Sequence, residues 1–168
     1  MERIAEASSD RFRLEGLPQY LVEEEAEEFA AWKRGHRGLP SVNDDPWLRH
    51  IRDTTVAGVH WWRVRILDYP LSEYSEYELH GYQGNAAAGE DIYVADRAWS
   101  TELASIREDF WLFDHETVVR MIYDDEGHFI RPELASNLDR HLELRSVALR
   151  HAVSLADFLA DKEPRLIA

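Results

Sequence analysis

Asp109-Phe-Trp-Leu-Phe-Asp-His-Glu-Thr-Val-Val-Arg-Met-Ile-Tyr-Asp-Asp-Glu-Gly-His-Phe-Ile-Arg131 reads as three short β-strands joined by two tight polar turns. Phe110 to Phe113 is wholly apolar, long enough for a strand and too short for a helix. Asp114-His115-Glu116 interrupts it. Val118 to Tyr123 follows, rich in the β-branched and aromatic side chains that fit a pleated surface. Asp124-Asp125-Glu126-Gly127 supplies a turn with glycine where positive φ is needed, and His128-Phe129-Ile130 returns. The expectation is a meander at the centre of a sheet that the rest of the chain covers.

Working outward, alternation recurs at Arg11 to Leu14, a short strand, and at Val59 to Leu67. In the latter, His60, Trp62, Val64 and Ile66 give one largely apolar face. Trp61, Arg63 and Arg65 lie on the other, with two guanidinium groups side by side. Helical spacing of Val22, Ala26, Phe29 and Ala30 predicts a helix over about Val22 to Lys33, whose outside carries Glu23, Glu24, Glu25, Glu27 and Glu28. Gly35 to Asn43 reads as a loop. A second helix starts with Asp44 or Asp45 as N-cap and Pro46 at its first position, and closes at Gly58. Leu71, Tyr74 and Tyr77 begin a third, capped by Ser72 or Ser75. Gly81, Gly84 and Gly89 then suggest a shaped loop or a helix C-cap before a strand at Asp91 to Val94. Ala98 to Arg107 is helix or surface loop. Pro132 is expected to end the last strand, and an amphipathic helix follows from about Leu138, its stripe reaching toward Leu159. Residues 1–10 and 161–168 are read as a flexible start and a tail around one domain, 11–160.

Composition narrows the function classes. At 168 residues one domain is the simplest reading. A net charge of −14, with Lys33 and Lys162 as the two lysines and the arginines scattered, disfavours direct nucleic-acid binding, which depends on basic side chains neutralising phosphates. The same acidity suits a basic protein partner. The absence of cysteine excludes disulfides, thiolate nucleophiles and Cys-ligated zinc. There is no apolar run near the ~20 residues of a membrane span, and Met1 to Glu6 lacks the pattern of a signal peptide. A cytoplasmic chain that does not contact membranes is expected.

Catalytic motifs are absent by spacing. His115-Glu116 is not completed to H-E-x-x-H, no G-x-S-x-G occurs, and the glycines match neither dinucleotide nor P-loop patterns. No histidine is followed two places later by lysine. Asp109, Asp114, Asp124 and Asp125 sit near strand ends, where turn chemistry accounts for them without a metal. No catalytic residue, metal ligand or cofactor is therefore assigned. Arg63 and Arg65 are the best cationic feature: they suit a carboxylate or phosphate, although the chain's own acids are the commoner partners. Tyr74, Gln83, Asn85 and Glu90 are the candidate lining of such an anion pocket. Glu23, Glu24, Glu27 and Glu28 are the candidate partner contacts.

Leu17-Pro-Gln-Tyr20 with the acidic helix ending in Trp32, Pro70-Leu-Ser-Glu-Tyr74, Gly89-Glu-Asp-Ile92 and Asp109-Phe-Trp-Leu-Phe-Asp114 together resemble an uncharacterised actinobacterial family often encoded beside helix-turn-helix transcription regulators. The resemblance runs from about Phe12 to Ala156. A weaker likeness joins Arg63 to Ile66, Phe110 to Asp114, Val118-Val119 and the terminal helix to phospholipase-D-like domains of bacterial regulators. Many of those lack the catalytic His-x-Lys and serve as sensory or interaction modules. The resemblance implies an α/β (α+β) domain, a mixed, largely antiparallel sheet flanked by helices in the manner of a phospholipase-D-like half. It also implies a non-enzymatic regulatory role with a basic, DNA-binding regulator, by analogy of fold. Two alternatives stand beside it: an enzyme or sensor domain for a phosphorylated small molecule, and an antitoxin-like acidic partner of a basic protein. The terminal helix is expected to pack on the sheet, with a homodimer through it as the alternative.

Overall fold

Phe12 and Leu14 face one side of the first strand, and Arg11, Arg13 and Glu15 the other. All five are buried, so both faces of this strand are covered. The computed structural model describes residues 2–18, 20–22 and 25–165, with the backbone alone at 2 and 162–165. The elements are α1 (Glu2–Ala7), β1 (Asp10–Glu15), α2 (Ala26–Lys33), α3 (Pro46–Val56), β2 (His60–Leu67), α4 (Glu73–Ala88), β3 (Asp91–Asp96), a 3-10 turn (Arg97–Trp99) and α5 (Thr101–Ala104). They continue with β4 (Asp109–Phe113), β5 (Thr117–Tyr123), β6 (Phe129–Leu134), α6 (Leu138–Arg150), β7 (Val153–Ser154) and α7 (Leu155–Arg165).

The strands form one sheet in the order β6-β5-β4-β1-β2-β3-β7. The β1–β2 and β2–β3 ladders are parallel, and the other four are antiparallel. The domain is thus α/β, with a mixed sheet and helices around it. The meander is present, with Gly127 at φ 96° in its second turn, but it forms one wing. The middle strand is β1, which looked short and polar in sequence. It reaches the centre because β2 and β4 both pair with it over long sequence distances.

One face of the sheet is apolar. Phe12, Leu14, Val64, Ile66, Ala95, Phe110, Leu112 and Val118 pack there with Val147 and Ala148 of α6. Each such side chain, fully buried, contributes about 1.5–3 kcal/mol. The opposite face carries Arg13, Glu15, Arg63, Arg65, Asp109 and Trp111, covered by α3 and α4. Towards its ends this face is apolar again, with Ile51 of α3 on Trp61 and with Leu155 and Phe158 of α7 near Leu67, Ile92 and Val94.

Local signals explain most boundaries. Asp45 Oδ1 accepts from the amides of Trp47 and Leu48, and Pro46 opens α3. Ser72 caps α4, and Gly89, at φ 111°, ends it. Three expectations are corrected. Of the two readings of the glycines, the helix C-cap holds at Gly89, while α4 runs through Gly81 and Gly84 in place of a loop, and Gly84 is needed for packing. A Cβ there would lie 3.2 Å from Leu48 Cδ1 and 3.3 Å from the Pro40 carbonyl oxygen. Pro132 does not end β6; it pairs with Met121 on an edge strand, where a missing amide costs no ladder bond. The terminal stripe is broken after Arg150, because Val153 and Ser154 pair with β3 before α7 begins. Helices also cover residues 2–7 and 155–165.

Candidate functional site

Strand alternation delivers three arginines to the charged face. Arg13 on β1 and Arg63 on β2 are register partners, and Arg65 lies two residues further along β2. Each guanidinium lies over an aromatic ring: Arg13 over Trp111 at 5.1 Å, Arg63 over Tyr82 at 4.8 Å and Arg65 over Tyr20 at 5.0 Å. Each also meets carboxylates. Arg13 Nη2 is 2.6 Å from Asp109 Oδ1, and its Nε is 3.9 Å from Glu15. Arg63 donates from Nε and Nη2 to the two oxygens of Glu90 at 2.6 and 3.1 Å, and from Nη1 to Glu15 Oε2 at 3.1 Å. Arg65 donates to Glu78 Oε2 at 2.8 and 3.2 Å and to the carbonyls of Leu17 and Ile66.

A cavity of about 340 Å³ opens above this network. Its floor is Arg13, Glu15, Arg63 and Trp111, and its walls include Tyr74, Tyr77, Glu78, Tyr82 and Asn85 of α4. Glu25, Glu28, Asp45 and Trp47 stand on the side of α2 and the start of α3. The tyrosine hydroxyls are committed to acids: Tyr82 donates to Glu15 at 2.7 Å, Tyr74 to Glu25 at 3.0 Å and Tyr77 to Glu28 at 3.4 Å. A smaller, mostly apolar hollow of about 250 Å³ adjoins it, sharing Tyr20, Val22, Glu25 and Tyr74.

The buried acids are not electrostatically alike. Burial by itself raises Glu15, but Arg63, Arg13 and Arg65 outweigh it and hold this carboxyl down at about 2. For Glu78 burial prevails over its pairing with Arg65, pushing it up to about 7. Burial likewise raises Asp109, to about 6, against the pull of Arg13.

The sequence candidates fall into three groups. Arg63, Tyr74 and Asn85 line the cavity, and Asn85 donates to Glu90 at 2.8 Å. Arg65 is fully buried beneath it and Glu90 is buried against Arg63, so both support the floor without opening onto the space. Gln83 is not among the lining residues; its side chain reaches the His80 carbonyl at 3.5 Å. The position where an external anion would bridge Arg63 and Arg65 is taken by the chain's own Glu15, Glu78 and Glu90.

Among the acidic contacts, Glu23 and Glu24 lie outside the described residues. Glu27 is exposed on α2, and Glu28, also exposed, turns toward Tyr77. The described helix is shorter than expected and buries none of its residues fully; it leans on α4 through Phe29, Trp32, Tyr74 and Tyr77. Asp124, read as a turn residue, does accept from the amides of Glu126 and His128.

Sequence reading missed Arg13, Glu15, Glu78 and Tyr82, and it gave Asp109 to turn chemistry, whereas this carboxylate is buried against Arg13. The first two carried a usable signal: Arg11-Phe12-Arg13-Leu14-Glu15 alternates charge and hydrophobe just as β2 does. A charged face on two neighbouring central strands must find its counter-ions inside the protein.

The fold and cavity define a single α/β domain with a preformed polar site over one sheet face. The chain belongs to the family described as domain of unknown function DUF6879, whose model matches residues 1–160. Neither a curated protein nor a solved structure matches the chain significantly. No helix among the described residues is long and apolar enough to cross a membrane.

Proposed function

We propose that this chain is a non-enzymatic regulatory domain that binds a small molecule in the cavity and works with a helix-turn-helix transcription regulator. The observation that supports this is the layer at and beneath the cavity floor, where Arg13, Arg63 and Arg65 are already tied to Glu15, Glu78, Glu90 and Asp109. Groups held by one another form preset walls, which suits recognition because little ordering remains to be done on binding. The α2 helix links the two halves of the reading. Its Glu28 is at the cavity while Glu27 is on the exposed side, so an occupant and a basic partner meet the same short helix. The net charge of −14 favours such a partner, as does the resemblance to a family encoded beside these regulators. A phosphorylated occupant has less support, since both β2 arginines are engaged by carboxylates.

The test is capture of partners from a native lysate at low and then high salt, with mass spectrometry of each eluate. A helix-turn-helix protein released by salt is the expected outcome, because exposed charge pairs are screened. A complex indifferent to salt, or none with such a regulator, counts against the reading.

A further inference from the structure

The charge inventory of the site is unbalanced in a way that identifies its occupant. The ion pairs beneath and around the cavity contain three guanidinium groups, Arg13, Arg63 and Arg65, and four carboxylates, Glu15, Glu78, Glu90 and Asp109. With every group ionised, one negative charge remains in excess where little water reaches it. Glu78 is 9% exposed at its side chain and Asp109 is fully covered. Glu25, Glu28 and Asp45 add further acids around the space, and neither Arg13 nor Arg63 is left over for an anion. A buried excess charge must be met by a proton or by a cation.

Around the same space stand Tyr74, Tyr77, Tyr82, Trp47 and Trp111. Ring faces beside carboxylates attract organic cations, the rings through their quadrupoles and the acids through charge. We propose that the cavity takes an organic cation, an ammonium or guanidinium group on an aromatic or hydrocarbon body, with its charge at Glu78 and its body against Tyr74 and Tyr77. The inference rests on the cavity being a ligand site.

A proton can play the part of the cation, and burial raises Glu78 and Asp109 as this requires. The groups acting on Glu78 are Arg65 and Glu15 from the strands, Glu25 from the α2 side, and Tyr74, Tyr77 and Tyr82 on its own helix. Those acting on Asp109 are Arg13, Glu15, Tyr20 and Tyr123. Lys33, at the end of α2, pairs with Glu73. A bound cation therefore displaces a proton, and its affinity rises with pH until Glu78 is ionised.

Calorimetric titration of the full chain with phenethylammonium, 2-phenylethanol and phenyl phosphate tests this, at pH 6 to 8 in buffers of different ionisation enthalpy. The ammonium ion should bind at least tenfold more tightly than the other two and release a proton near pH 6.5. Glu78→Gln should lower its affinity about tenfold and remove the proton release. If that variant does not fold, Glu28→Gln at the exposed rim should still weaken the ammonium ion about threefold. Equal or tighter binding of the alcohol or the phosphate overturns the cation while leaving a ligand cavity. No binding by any probe overturns the cation together with the cavity reading.

Discussion

The two faces of the sheet are covered to a similar degree but held together by different physics. Under α6, Phe12, Leu14, Phe110 and Leu112 are 0% exposed and interlock without a charge among them. On the reverse side of the same strands, Arg65 is equally buried, yet its surroundings are Glu78, three carbonyls and the ring of Tyr20. The apolar side gains from leaving water. The charged side pays a desolvation cost that its ion pairs recover only where each partner is in place. A stabilising core has no need of the second arrangement.

That contrast is broken most severely by Arg65→Ala. It strands Glu78 and three carbonyls, and the expected loss is about 3–5 kcal/mol in urea unfolding. The paired change Arg65→Met with Glu78→Leu should recover most of that loss; failure to recover it would mean that the ion pair itself supports the fold. On the apolar side Leu112→Ala should cost about 3 kcal/mol through lost transfer energy and a residual cavity, and no second-site change to a charged partner should rescue it. Its effect should also be nearly independent of pH.

The charged face, by contrast, should make stability depend on pH. Glu78 and Asp109 are raised in the folded chain, so between about pH 4.5 and 7 the native state holds protons that the unfolded state has released. Stability then falls as pH rises through that window. Glu15 acts in the opposite sense: it is depressed, and its contribution is lost as pH falls from about 4.5 toward 2. Urea midpoints collected from pH 3 to 8 should therefore peak near pH 4 to 5, and Glu78→Gln should flatten the alkaline side. A curve still rising to pH 7 would contradict the burial argument. The smallest effect belongs to a residue outside both faces. Asp45→Ala removes the cap of α3 and should cost about 1 kcal/mol, readable as a shift in thermal midpoint.

Much of this was legible residue by residue. Asp45, Pro46 and Gly58 gave the limits of α3, and the meander turns gave β4, β5 and β6, because caps, turns and period-two patterns act within a few residues. The pair Arg63 and Arg65 was visible as a shared face of β2. Their counter-ions were not, since Glu78 comes from within a later helix, Glu90 from just past its end, and Glu15 from a strand about fifty residues earlier. Gly81 and Gly84 misled for the same reason: only the approach of Leu48 and Pro40 shows that Gly84 serves packing.

Local sequence thus determined the elements, their caps and which side chains share a face, because these depend on backbone geometry at short range. Tertiary structure alone decided that β1 is the central strand, that three arginines and four carboxylates meet in buried ion pairs, and that a cavity lies above them. Strand pairing and ion pairing join residues far apart in the chain, and the energy of a buried charge is set by whatever else is folded against it.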